Sequence, residues 1–255
     1  MRKLKALLIF LFSITIFLFS QEKPTFYYET TLFKPGIHFE YLLRTLDTDN
    51  ATNPTLKGYT VSIQADSEIN EKITVSLWIG GIFSFYNDMV FRKIPISLKL
   101  TKDSGTIYGI MAGGGFDVKF AEYEDFNIGL FGKINYCFGI KKKWDITELA
   151  VSGEANGKSN WGRAYGGPKI TYSAFETINP YAGIVIDYLF GKFNMDEKIS
   201  TLEGSEGKDF HSKTLFGILV GTLINLTEAF QMEGGVIIYP VGENINIFGG
   251  LKYSF

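Results

Sequence analysis

Little in this chain is equipped for covalent chemistry. Its 255 residues include two histidines, His38 and His211, and one cysteine, Cys137. His211 adjoins Ser212, a pairing that invites a hydrolase reading. Neighbouring residues on a strand project to opposite faces, so the two do not meet as base and nucleophile unless a loop reshapes the backbone. No catalytic residue is assigned. His38 is expected to be a lumen or interface residue. A lone thiol builds neither an internal disulfide nor a structural zinc site, so Cys137 is expected to pack as a small buried residue. Gly113, Gly114 and Gly115 have no Lys-Ser/Thr after them and no helix to supply a dipole, so they are not a phosphate loop. The stretch 194–197 (NMDE) lacks the remaining ligands of a calcium loop. Neither a metal nor a cofactor is expected.

The charged side chains are informative through their spacing. Lys and Arg number 25 against 27 Asp and Glu, a formal net charge of −2, so no basic excess points to a nucleic-acid partner. Many charges fall on the polar side of segments whose other side is apolar. Glu40, Arg44, Asp66, Lys99, Asp117, Lys119, Lys133, Lys169, Asp187, Lys213, Glu233 and Lys252 are therefore candidates to line an interior. Both signs are present. They would either pair across a narrow lumen or line water and select weakly among ions.

The elements that must position them read as strands. Ile245, Ile247, Gly249, Leu251, Tyr253 and Phe255 share one face at period two, and Asn244, Asn246, Gly250, Lys252 and Ser254 share the other. Ile73, Val75, Leu77 and Ile79 oppose Thr74, Ser76 and Gly80 in the same way. Apolar intruders, among them Trp78, Phe131, Leu219 and Leu223, interrupt the polar faces. Repetition of a spanning-length pattern in segment after segment, with 16% aromatic residues and 28 glycines, predicts an all-β fold. That fold is a transmembrane antiparallel up-and-down β-barrel.

Candidate strands are 36–46, 58–69, 73–86, 94–101, 106–120, 126–138, 146–151, 164–175, 181–193, 213–226, 230–239 and 244–255. That makes about 12, an even number as in bacterial barrels. Two are weak. Segment 146–151 breaks its alternation, and 94–101 would serve equally as a hairpin inside an outer loop. Without them about 10 strands remain. An acidic residue precedes a new apolar strand at Glu68, Glu122, Glu176 and Glu228, a shared turn pattern that favours this alternative. Short turns at 70–72, 102–105, 141–145, 176–180 and 227–229 are expected at the periplasmic end. Longer polar loops at 47–57, 153–162 and 194–211 are expected outside.

The chain opens with Arg2, Lys3 and Lys5, followed by an apolar run over 6–19. A basic n-region before a short apolar stretch predicts a signal peptide over 1–20. Residues 21–35 would be a periplasmic arm or an extra strand, and 36–255 the barrel.

The C-terminal Leu251, Tyr253 and Phe255 resemble the terminal signature of bacterial outer-membrane barrels. IPISLKL at 94–100, YGIMAGGGF at 108–116 and NPYAGIVIDY at 179–188 are similar to the outer membrane protein beta-barrel family of small porin-like proteins. The resemblance implies a location in the outer membrane, lipid as a partner, and recognition of the last strand by the barrel-assembly machinery. It leaves the oligomeric state open. The resulting expectation is a narrow passive channel for small polar solutes or ions. The alternatives are a closed structural or adhesion barrel acting through its outer loops, and an outer-membrane hydrolase.

Overall fold

The computed structural model describes residues 32–48, 53–146, 153–175, 177–242 and 244–254. The expected signal peptide, residues 21–31 of the expected arm, Phe255, and 147–151 of a weak candidate strand lie outside the described residues. Fourteen strands follow one another: β1 (Leu32–Thr48), β2 (Thr55–Asn70), β3 (Ile73–Asn87), β4 (Met89–Phe91), β5 (Leu98–Leu100), β6 (Ile107–Tyr123) and β7 (Phe126–Gly139). They continue as β8 (Lys142–Ile146), β9 (Gly153–Tyr172), β10 (Ile178–Ile199), β11 (Leu202–Ser212), β12 (Phe216–Asn225), β13 (Phe230–Ile238) and β14 (Ile245–Tyr253). Strand β1 begins at Leu32, four residues ahead of the expected start, so 32–35 belong to the barrel.

Twelve of these strands share one antiparallel sheet, while β4 and β5 pair only with each other. Ten close a ring, in the order β1-β2-β3-β6-β7-β9-β10-β12-β13-β14 and back to β1. Closure leaves no sheet edge, which is what lipid demands of a backbone it surrounds. Strand β2 shows why each segment forms. Inward it places Leu56, Gly58, Thr60, Ser62, Gln64 and Asp66, and outward Tyr59, Val61 and Ile63.

A second closure lies above the first. Strand β14 pairs with β1 only as far as Leu43, and β12 pairs with β10 only as far as Ile186. Beyond those points β11 takes over, bonded to β10 along 190–199 and to Leu46, Asp47 and Thr48 of β1. The upper ring therefore has eight strands: β1, β2, β3, β6, β7, β9, β10 and β11. Higher still, β8, β9, β10 and β11 continue as a four-stranded sheet.

Several expected turns and loops change place. The links near residues 71, 124, 175 and 228 are short turns at the lower end, joining β2–β3, β6–β7, β9–β10 and β12–β13. The expected turns at 102–105 and 141–145 sit at the upper end, because neither 94–101 nor the described part of 146–151 is a through-going strand. Residues 88–106 instead form one upper excursion carrying the small β4–β5 hairpin and a 3-10 turn, Lys102–Ser104. The segments 153–162 and 194–211, expected as outer loops, are the tall ends of β9 and β10 and the whole reach of β11. Most of their polar residues face out, while Ala155, Trp161, Met195, Ile199 and Phe210 face in together with Ser159, Glu197 and Glu206, so they alternate like strands with water outside.

Candidate functional site

The interior is the natural place to look for function, and it is obstructed at three levels. At the junction of the two rings, Arg163 of β9 donates from Nε and Nη2 to Asp187 of β10, at 2.7–3.0 Å, and from Nη1 to Glu40 of β1. Arg44 of β1 donates to the same Asp187 at 2.9 Å and to the Thr214 carbonyl. Tyr239 donates its hydroxyl to Asp187, and Asn246 donates to Glu40 at 2.6 Å. Strands β1 and β9 stand on opposite walls of the ten-strand ring, so the Glu40–Arg163 pair crosses the lumen. Two guanidiniums and two carboxylates make the cluster formally neutral. None is more than 8% exposed, and each needs the others, because an ion left unpaired in such surroundings is strongly unfavourable.

Above this bridge the eight-strand section is filled with apolar side chains. Leu46, Leu56, Tyr86, Met111, Leu189 and Phe193 pack there, as expected for a ring of that size. Tyr86 packs edge-on against Phe193 at 5.0 Å and shares a hydrogen bond of 2.5 Å with Ser159 on the facing wall. The excursion 88–106 completes the seal by lowering Met89, Phe91, Ile94 and Leu100 into the mouth. Two carboxylates hold it. Glu206 of β11 accepts the backbone N–H groups of Arg92 and Lys93, both at 2.6 Å, and pairs with Lys208 at 2.8 Å. Glu197 of β10 accepts the N–H of Ile96 at 2.7 Å. Burial raises the Glu206 pKa, but the Lys208 ammonium and the two N–H groups outweigh it and hold the carboxyl below its ordinary range. Gly204 is required here, since a Cβ at that position would lie 2.5 Å from the Pro95 ring.

Below the bridge a roof of Phe131, Tyr165, Leu219, Ile237 and Phe248 closes a cavity of about 290 Å³ that faces the short-turn end. Two of the apolar intruders, Phe131 and Leu219, are thus part of the roof, and Leu223 also lines the cavity. Trp78 lies across Gly113, where a Cβ would come within 2.5 Å of the indole, and at Gly115 a Cβ would come within 2.8 Å of the Gly132 carbonyl.

Ten of the twelve candidate lining residues face this interior. Glu40, Arg44 and Asp187 form the bridge, while Asp66, Asp117, Lys119, Lys133, Lys169, Glu233 and Lys252 line the lower cavity. Lys99 and Lys213 do not. Lys99 sits on the exposed β4–β5 hairpin paired with Asp88 at 2.6 Å, because its segment never enters the wall. Lys213 lies in the link after β11 and reaches Asn53 at 3.2 Å. Sequence reasoning missed Arg163, Tyr239, Asn246, Glu197 and Glu206. Stepping β9 back by twos from Lys169 through Tyr165 would have reached Arg163, had the loop not been drawn up to residue 162.

The His211 imidazole meets the Ser212 backbone carbonyl at 3.4 Å and not its hydroxyl. Ser212 is buried with its Oγ accepting the Leu189 N–H at 3.1 Å, while the His211 side chain is 51% exposed, stacked on Tyr188 and 3.9 Å from Asp47. Cys137 is buried and free. Among the described residues no group of three or more His, Cys, Asp or Glu could hold a metal.

The outer surface decides what surrounds the lower ring. Ile63, Leu77, Ile79, Ile134, Ile184 and Ile218 are each 59–68% exposed, with no protein to cover them. Aromatic residues bound this band on both sides. Tyr59, Phe83, Tyr108, Tyr136, Phe138 and Tyr188 stand above it, and Phe33, Tyr123, Phe126, Phe175, Phe230 and Tyr253 below. Phe33 and Tyr41 on β1 are eight residues apart, about 26 Å along the strand and about 20 Å along the normal of a tilted barrel. On β10 the outward residues change from Ile184, Ile186, Tyr188 and Phe190 to Lys192, Asn194, Asp196 and Lys198. A closed antiparallel ring, an apolar band between aromatic girdles, and short turns at one end form the architecture of a single protein class. This is an outer-membrane β-barrel. The outward Leu251 and Tyr253 of the terminal signature lie on the lipid face of β14.

No family model and no curated relative matches the sequence. Solved structures do resemble it. The translocator domain of the autotransporter NalP from Neisseria meningitidis matches at 12% identity, covering 89% of this chain and 90% of that one, with a TM-score of 0.48. The outer membrane protease OmpT from Escherichia coli matches at 10% identity over 89% and 97%, with a TM-score of 0.47. An outer membrane channel from Pseudomonas putida F1 matches at 9% identity over 92% and 100%, with a TM-score of 0.41. Likeness at this level concerns the fold alone.

Proposed function

We propose that this outer-membrane barrel is closed and non-catalytic, and that it acts through what it presents above the membrane. The observation that carries this reading is the Glu40–Arg163–Asp187–Arg44 bridge across the lumen, with apolar side chains packed above it and roofing the cavity below. The passive channel expected from the sequence needs a continuous wet path, and three seals in series oppose one. What remains for contact is the sheet β8–β11. Its outer surface carries exposed ion pairs, Lys143–Glu154 at 2.5 Å and Lys198–Glu203 at 2.6 Å. Such a surface is hydrated and suited to polar partners. The hydrolase reading has no dyad to rest on, because Ser212 and His211 face opposite sides of β11. During biogenesis the β14 strand would be the part offered to the assembly machinery.

The test is single-channel recording of the full-length protein in planar bilayers. The closed reading predicts no unitary steps from the wild type. Reproducible steps, altered by Glu40→Ala or Arg163→Ala, would overturn it and restore the channel.

A further inference from the structure

The lower cavity is a dead end with surplus positive charge. Four carboxylates line it, and three lysines take all of them. Lys34 pairs with Glu68 at 2.5 Å, Lys252 bridges Asp66 at 2.7 Å and Glu233 at 3.3 Å, and Lys169 pairs with Asp117. Two further lining lysines, Lys119 and Lys133, make no ion pair among the described residues, although Lys133 lies within electrostatic reach of Glu233. Lys133 is the deeper. Its ammonium lies 5.5 Å from the centroid of Phe248, and His38 stacks on the same ring at 6.3 Å. A cation over a phenyl face gains about 0.5–2 kcal/mol, but the ring accepts no ordinary hydrogen bond from the ammonium.

We propose that this cavity binds a small anionic solute, one carrying a carboxylate or phosphate group, entering from the short-turn end. Lys133 supplies the opposing charge. Lys119 draws the anion in from the rim. Five lysines against four carboxylates leave a positive field that the cavity walls focus on the entrance. The volume suits a solute of about ten non-hydrogen atoms, at about 30 Å³ each as for liquid water. This site is separate from the upper surface and does not depend on whether the lumen conducts.

The full-length protein, refolded in detergent micelles, is titrated calorimetrically with inorganic phosphate and, separately, with succinate. Saturable one-site binding of either probe supports the proposal, and the probe that binds tells which anion chemistry is preferred. Lys133→Gln is expected to weaken binding about tenfold, the loss of one charge-assisted hydrogen bond. Lys119→Gln should weaken it less, and Lys99→Gln at the far end should leave it unchanged. Lys133→Arg keeps the charge and should retain binding, so it separates loss of charge from a failure of Lys133→Gln to fold. Absence of saturable binding for both probes, wild-type affinity in Lys133→Gln, or loss of binding in a folded Lys133→Arg would overturn the proposal.

Discussion

Below Arg163 the wall of this barrel is apolar outside and charged inside. Above it the arrangement inverts, with Lys192, Asn194, Asp196 and Lys198 outside and Leu189, Phe193 and Met195 inside, all on the one strand β10. The sheet is continuous through the change, so the backbone does not choose which face is oily. The surroundings do. Lipid outside the lower ring accepts isoleucine and leaves polar groups to the lumen, whereas water outside the upper ring accepts lysine and leaves apolar groups to fill an eight-strand interior. The ionic bridge sits at the boundary, where two walls that differ in number of strands have to be joined.

That contrast can be broken most severely at the boundary itself. Asp187→Ala leaves Arg44 and Arg163 buried with Glu40 as their remaining acid, and should cost about 3–5 kcal/mol in urea unfolding of the reconstituted barrel. Next come substitutions that ignore which medium lies outside. Leu77→Arg on the lipid face of β3 should cost about 2–4 kcal/mol, whereas Asn194→Arg on the water face of β10 should stay within about 0.5 kcal/mol. A reversed order would mean the membrane boundary is misplaced.

Smaller effects sharpen the account of the upper seal. Glu206→Ala removes the acceptor for two N–H groups of the excursion and should open residues 88–106 by about 1–3 kcal/mol, read as faster hydrogen exchange there. Acid should act likewise. The folded-state pKa of Glu206 is depressed, so its contribution is complete above the unfolded value of about 4.3 and fades as pH falls through the folded one. Ser212→Ala should cost about 1 kcal/mol, from the lost acceptor for Leu189, and should change no hydrolytic rate measured on ester substrates.

Much of the barrel was legible in the sequence because period two survives wherever the two sides of a strand differ in polarity, as in β3, β12 and β14. The acidic turn pattern at Glu68, Glu122 and Glu228 marked three lower turns of the ten-strand ring, and its fourth member, Glu176, lies outside the described residues. Less legible was any segment whose polarity runs the other way. Polar Asn194, Asp196 and Lys198 read as a loop because outward residues were expected to be oily, so the tall ends of β9 and β10 were cut short and Arg163, Glu197 and Glu206 were lost with them. Lys99 was misplaced for a related reason. The alternation of Ile94, Ile96, Leu98 and Leu100 is genuine, but Ile94, Leu98 and Leu100 seat a cap in the barrel mouth while Ile96 stays exposed, and period two does not distinguish a wall from a plug. The second closure through β11 was beyond local patterning altogether, since it depends on three long-range pairs to β1.

The inversion itself is tested most directly by cysteine scanning along β10 in proteoliposomes, in a background where the one native cysteine, Cys137, is buried. Outward positions 182, 184, 186 and 188 should resist a water-soluble maleimide, and 194, 196 and 198 should react readily. Equal reactivity along the strand, or protection at 194–198, would contradict the account.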